Sequence, residues 1–442
     1  MSEIYARISD KFMLRGWSDC PLALVEKERA HQFFNCKEYE YVIKACDGLS
    51  DFSSPAFLPK HRYQLGELID AGFVVLCKKG DTLSEYQRYI YTPCPVLKEI
   101  NWAITDACNL HCVHCFMNSP NKKEDVKLDT VQRIISEIIN AHVPVVTLTG
   151  GEPLLSPYFK LIVSELSNAN VSISHISTNA VLLNEDIMDF LLENNQHPDF
   201  LISYDGAGVH DLIRGQKGLE SIVLENTSKV LKKGFTAVMV TTLMQQNMGT
   251  LRKTYDVLKE LSPSGWFINR AQSTGLYQKE KRLSTEEIAN ETLPLYKCRI
   301  DDNKPFPMVI ENFCQGKNIK KYTSDSPECF GNSCGLFLLP DGTLMPCQGF
   351  VGTKIQEKMP NILKEGLIKA WENPSLEEFR HAVKKDRLEK NPDCKKCPSF
   401  SECGMGCRAY ALSQTGSMDN VDSDMCELFS QGWRMKFNEY EK

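Results

Sequence analysis

The chain has 442 residues, of which 42% are hydrophobic and 24% charged, with a formal net charge of -6. Such a chain forms about two or three cores, contains no apolar run long enough to span a bilayer, and lacks the basic surplus of a nucleic-acid binder. Its start, Met1 to Arg7, has neither the basic nor the apolar region of a secretory signal, so a cytoplasmic location is expected; the 18 cysteines are then the anomaly, because clustered thiols in a reducing compartment point to metal.

Residues 1–92 read as short strands at 5–8, 12–15 and 23–25, helices at 38–46 and 61–71, and a last strand at 73–77. Asp47-Gly48 and Ala71-Gly72 end the two helices. This order suggests a winged-helix-like α+β domain, with a stabilising cap or a DNA-binding wing as the alternatives; the missing basic surplus counts against DNA. Residues 86–95 are expected to be a linker.

The run Ile100 to Thr105 reads as a strand and leads directly into Cys108-Asn109-Leu110-His111-Cys112-Val113-His114-Cys115. Three thiolates in one tight loop can hold three irons of a cubane and leave the fourth iron without a protein ligand. Zinc stays open as an alternative, since His111 or His114 can complete a four-ligand set.

Beyond the loop, β-rich runs at 143–147, 171–177, 200–203, 237–242 and 266–269 alternate with helical stretches at 128–141, 158–167, 185–193, 219–232 and 249–261. That is the pattern of βα units around a parallel sheet, about six in number with the strand at 100–105. Chemistry in such a partial (β/α)6 barrel belongs at the C-terminal ends of the strands. Polar or glycine-rich segments fall there: Gly150-Gly151-Glu152-Pro153, Ser177-Thr178-Asn179, Ser203-Tyr204-Asp205 and, a few residues on, Arg214. Alone, the first can be a plain turn and the next two can be helix caps. Arg214 can serve a carboxylate ligand or a structural ion pair.

The C-terminal part, 311–442, holds Cys329, Cys334, Gly342, Cys347, then Cys394, Cys397, Cys403 and Cys407, and finally Cys426. Eight cysteines suffice for two fully ligated 4Fe-4S clusters, with two zinc knuckles as the alternative. Cys20, Cys36, Cys46, Cys77, Cys94, Cys298 and Cys314 lie outside both patterns and receive no role.

The CxxxCxxC triplet followed by Phe116, with GGEP one unit later, resembles the signature of the radical S-adenosylmethionine (SAM) superfamily. The Cx12Gx4C, Cx2Cx5Cx3C and final C resemble its SPASM extension. The resemblance implies a SAM-binding cluster on Cys108, Cys112 and Cys115. It further implies SAM contacts from Phe116, Gly150, Gly151, Glu152, Pro153, Ser177, Asn179, Ser203, Asp205 and Arg214. It implies one auxiliary cluster on Cys329, Cys334, Cys347 and Cys407, and a second on Cys394, Cys397, Cys403 and Cys426, three 4Fe-4S clusters in all. Cys334 is the least secure of these ligands. Residues 1–92 resemble the domain by which peptide-maturation enzymes bind a leader peptide as an added strand. The division is then 1–92 for recognition, 93–310 for the radical SAM barrel and 311–442 for SPASM.

Taken together the pattern resembles maturases of ribosomally made peptides, implying an oxidative thioether or carbon–carbon cross-link in a precursor of leader plus core. A flavodoxin or ferredoxin would supply electrons, and neither nucleic acid nor membrane is an expected partner. No general base is assignable. An anaerobic sulfatase maturase is the rival, but its motif has Asp after the cysteine at 347, where this chain has Gln348. A non-catalytic iron–sulfur carrier or peptide scaffold is the rival from another class.

Overall fold

The computed structural model describes residues 3–28, 32–119, 126–279, 282–313, 321–329 and 335–441. Cys334 and Cys314 lie outside the described residues.

The N-terminal strands are β1 (Tyr5–Ile8), β2 (Phe12–Trp17), β3 (Ala23–Glu26) and β4 (Phe33–Asn35), followed by α1 (Glu40–Ala45), α2 (Pro59–Asp70), β5 (Val74–Cys77) and β6 (Ile90–Thr92). β2, β3 and β4 form an antiparallel meander, β6 pairs in parallel with the other side of β2, and β1 pairs antiparallel with β5. The stretch expected as a linker thus contains a sheet strand. Strand alternation gives β2 and β3 two buried faces. Phe12, Leu14 and Leu24 enter a core shared with α1 and α2, whereas Met13, Trp17, Ala23 and Val25 enter the main core of the molecule. The small sheet is therefore a wall between two cores.

The remaining strands are β7 (Glu99–Ala103), β8 (Val145–Thr149), β9 (Ser172–Thr178), β10 (Asp199–Ser203), β11 (Ala237–Leu243), β12 (Gly265–Arg270), β13 (Met308–Ile310), β14 (Gly335–Leu338) and β15 (Leu344–Met345). They form one open sheet in the order 13-12-11-10-9-8-7-14-15. From β13 to β14 every neighbouring pair is parallel; only β15 turns back, as a hairpin on β14. β13 and β14 extend the sheet beyond the six expected strands at either side. Both are short, three and four residues, too little pattern for sequence reading to register.

The crossover helices are α3 (Leu128–Asn140), α4 (Phe159–Asn168), α5 (Glu185–Glu193), α6 (His210–Arg214), α7 (Leu219–Lys232), α8 (Leu251–Leu261) and α9 (Thr285–Asp301). Their apolar stripes face the sheet, as with Val131, Ile134, Ile135 and Ile138 of α3. Asn184 caps α5 and Ser284 caps α9, the latter in a reciprocal box with Glu287. Sequence order and sheet order coincide from β7 to β13, so every strand presents its C-terminal end to the same rim. The cysteine loop leaves the end of β7 at that rim.

Candidate active site

The loop carrying Cys108, Cys112 and Cys115 is fastened by backbone hydrogen bonds on three sides. Gly151 N donates to Thr105 O at 2.9 Å and Glu152 N to Ala107 O at 2.8 Å. His111 N and Val113 N donate to Arg214 O and Ile213 O of α6, at 3.3 and 3.1 Å, and Leu276 N donates to Cys115 O at 3.0 Å. A Cβ on Gly151 would lie 2.2 Å from Ala107 O, and Gly150 sits at φ +144° against Thr105. The two glycines let the chain after β8 close upon the cysteine loop itself. The three cysteines pack with Leu110 and Leu219.

Glu152 is wholly buried. Its carboxylate accepts from Leu154 N at 3.1 Å, Thr178 Oγ1 at 2.7 Å and Asn179 N at 2.7 Å. Burial pushes its pKa up to about 7, opposed by those hydrogen bonds. Asn179, also buried, donates through Nδ2 to Asn109 Oδ1 at 2.8 Å, so the end of β9 is tied to the cysteine loop. Pro153 is buried and opens a 3-10 turn. Ser177 and Ser203 are half-buried near the ends of β9 and β10. Phe116 is half-buried, its ring edge-on to Phe337 at 6.3 Å.

Arg214 forms an internal ion pair, the structural one of the two roles the sequence leaves open. Its Nε lies 2.6 Å from Asp205 Oδ2, with side-chain exposures of 10% and 0%, and its Nη1 donates to Cys112 Sγ at 3.6 Å. Burial would raise the Asp205 carboxyl, but the charges of Arg214, His114 and His210 and the Arg214 hydrogen bond hold it below its ordinary value. Burial of Cys108 pushes its thiol up to about 11. The Cys112 thiol also rises with burial, a rise that the Arg214 charge offsets in part. Buried thiols so raised remain protonated unless positive charge arrives with a metal. The donor set, three soft sulfurs in one enclosed loop, therefore suits a thiophilic metal, iron in a cluster among them. Among the described residues no three His, Cys, Asp or Glu side chains close upon a single-ion position, so donor chemistry rather than a finished polyhedron carries this fit.

In the C-terminal part, Cys329, Cys347, Cys403 and Cys407 line a cavity of about 210 Å³ together with Lys384 and Arg408. The thiols that act on Cys347 are those of Cys329 and Cys407, and Cys347 is raised chiefly by burial. Cys394 is influenced by Cys426 and Cys397, and Cys403 by Cys426 and Cys394. Two groups emerge, an inner one (329, 347, 407) and an outer one (394, 397, 403, 426); Cys407 of the first and Cys397 and Cys426 of the second are exposed.

Sequence reasoning missed two buried charge networks here. Glu328 Oε2 meets Lys384 Nζ and Arg387 Nη1, each at 2.9 Å, with all three side chains at most 2% exposed. Arg270, at the end of β12, pairs with Asp424 at 2.5 Å and lies over the Tyr410 ring at 4.3 Å. Lys384 sits in an exposed-looking Lys-Lys pair and Arg270 at a strand end, so no local signal marks either as buried.

Residues 102–258 match the profile of the radical SAM superfamily and residues 329–398 that of the SPASM iron–sulfur cluster-binding domain. An AdoMet-dependent heme synthase of Methanosarcina barkeri is 25% identical over 335 residues, 72% of this chain and 93% of that protein. Mycofactocin maturase MftC of Mycolicibacterium smegmatis is 33% identical over 159 residues, 34% of this chain and 39% of that protein. Streptococcus suis SuiB bound to precursor peptide SuiA has a TM-score of 0.70 at 14% identity, covering 96% of this chain and 100% of that one. The anSMEcpe structure with AdoMet and the Cp18Cys peptide has a TM-score of 0.60 at 19% identity, covering 78% and 99%. At these identities the likeness to the two structures is one of fold.

Proposed function

We propose, for a chain that belongs to the radical SAM superfamily and carries a SPASM domain, that it installs an oxidative intramolecular cross-link in a ribosomally made precursor peptide. The observation that carries this reading is the three-cysteine loop at the strand rim, in a chain whose fold follows that of SuiB bound to its precursor peptide along 96% of its length. Together, the cluster and SAM would supply a 5'-deoxyadenosyl radical that abstracts a hydrogen atom from the peptide.

Cys108, Cys112 and Cys115 would hold that cluster. Arg214, fixed by Asp205, donates to the Cys112 sulfur and steadies its charge. The Gly150-Gly151 turn and Phe116, Ser177, Asn179 and Ser203 line the rim where a SAM molecule would lie. Glu152 and Pro153 act there by packing, Glu152 by orienting the end of β9. The inner cysteines with Cys334, and the outer four, would bind two auxiliary clusters, giving three in all. These would take the electron left when the substrate radical closes its bond. Electrons for SAM cleavage would come from a flavodoxin or ferredoxin. No helix among the described residues is long and apolar enough to cross a membrane, and a cytoplasmic site is proposed. Residues 1–92 would bind the leader and 93–310 the core peptide, with 311–442 as the electron-handling part.

A second reading follows from the heme synthase relative, which this chain matches along 93% of that protein: a porphyrin in place of the peptide. One experiment separates the readings. The anaerobically reconstituted protein is incubated with reductant, SAM, and either a precursor encoded beside the gene or an iron porphyrin. 5'-Deoxyadenosine together with a precursor lighter by two hydrogens supports the maturase. Turnover of the porphyrin alone favours the second reading, and no deoxyadenosine under several reductants favours a non-catalytic carrier.

A further inference from the structure

Arg408 follows the inner ligand candidate Cys407 and lines the cysteine cavity. It is 6% exposed, yet among the described residues its Nε and Nη1 find no hydrogen-bond partner. Its other contacts are weak or non-directional: Nη2 is 3.7 Å from Glu378 Oε1, a largely exposed carboxylate, and the guanidinium lies 5.1 Å from the Phe379 ring centroid. Burying a guanidinium with two unused donors costs several kcal/mol, so the fold holds it there against a penalty. Of the other cations lining the cavity, Lys384 is already engaged by Glu328 Oε2 at 2.9 Å and Glu328 O at 3.0 Å, and Arg434 donates to Phe313 O. Arg387, outside the cavity lining, donates through Nη1 and Nη2 to Glu328, Met405 O and Asn420 O, its Nε alone finding no partner among the described residues. Arg408 is the cavity cation whose donors remain open.

We propose that Arg408 is a positioning residue for the inner auxiliary cluster, donating its Nε and Nη1 hydrogens to sulfur held at Cys329, Cys347 and Cys407 and raising that cluster's reduction potential above the outer one's. The inference rests on the cluster reading given above. Hydrogen bonds to sulfur, net charge and burial are the protein's levers on such a potential. A nearby cation stabilises the form that has gained an electron, and Arg408 lines the cavity with all three inner cysteines, Cys329, Cys347 and Cys407, but with only Cys403 of the outer four. The electron released on bond closure would then be received at the inner site.

The test is an EPR-monitored redox titration of the reconstituted holoenzyme, with the inner signal identified as the one lost in Cys347→Ala. Arg408→Met, which keeps length and removes charge, should lower the inner midpoint by at least tenfold in the reduction equilibrium, 59 mV for one electron, with the outer midpoint unmoved and iron content unchanged. Arg408→Lys should give an intermediate value. An inner midpoint equal to wild type in Arg408→Met overturns the inference. If Arg408→Met fails to hold the inner cluster, Arg408→Lys decides, a wild-type midpoint there overturning it. A wild-type protein with iron for the SAM-binding cluster alone overturns the auxiliary-cluster reading itself, and this inference with it.

Discussion

The loop of Cys108, Cys112 and Cys115 stands on a parallel sheet and is held by hydrogen bonds to three neighbouring segments, whereas Cys394 and Cys403 ride on helices of four residues each. Helices that short do not persist on their own. Around the first site the chain supplies most of a scaffold, with Glu152 satisfied by three donors, Asp205 by Arg214, and glycines shaped to the contact, leaving His114 Nδ1 unpaired among the described residues. Around the second it supplies a cavity, the Glu328 triad and Arg408 donors without partners among the described residues. The difference teaches that iron, where bound, would be a guest in the barrel and part of the framework in the C-terminal region.

The largest effects should separate the two regions outright. Replacing Cys108, Cys112 and Cys115 together by Ala is expected to abolish 5'-deoxyadenosine formation while iron at the C-terminal cysteines and the thermal transition of the sheet persist; retained SAM cleavage would refute the site. Conversely, stripping iron with a chelator should collapse hydrogen-exchange protection across residues 392–430 and leave β7 to β12 protected. Equal protection of 392–430 with and without iron would break the comparison.

Next in size is Asp205→Asn. It leaves the buried Arg214 without its counter-charge and should destabilise the barrel by about 3–5 kcal/mol, read by chemical denaturation. Because Arg214 also donates to Cys112 Sγ, which is charged only with metal bound, the loss should appear in both forms and be larger in iron-stripped protein. A loss seen only with iron present would mean that Arg214 serves the cluster first and the fold second.

The barrel was legible in the sequence because most of its strands carry apolar or alternating residues over five or more positions and its long helices carry a stripe; the rim motifs followed from strand ends. Strand β4, three residues long, and β6, in a stretch that reads as a linker, gave too little pattern. That Met13, Trp17 and Val25 of the N-terminal sheet join the main core was also invisible, since alternation shows two buried faces but not what covers them. For the same reason removing residues 1–92 would strip the barrel of apolar cover, and point changes at the N-terminal sheet edge, such as Leu76→Arg on β5, test peptide recognition more cleanly. Cysteine spacing located the C-terminal sites, but Glu328, Lys384, Arg387 and Arg408 look like ordinary surface charges in sequence. Their burial depends on tertiary contacts that no local pattern encodes.

The smallest effect sharpens the claim that the barrel site is preformed. Glu152 titrates at about 7 in the folded chain against an ordinary value of 4.5. Between those values the native state holds a proton that the unfolded chain has released, so this group's stabilisation is complete below pH 4.5 and is lost as pH rises through 7. Glu152→Gln should remove that falling contribution and cost about 1–3 kcal/mol, because the amide nitrogen cannot accept from Asn179 N. His114 and His210, both lowered to about 4 chiefly by burial, contribute the opposite slope between 4 and 6.5, so the quantity to read is the difference between wild type and variant. Denaturation of iron-stripped protein from pH 5 to 8 should show wild type losing its advantage over Glu152→Gln as pH rises. Parallel curves across that range would mean that Glu152 is already ionised in the empty fold, and that the rim around β9 is organised by its ligand rather than before it.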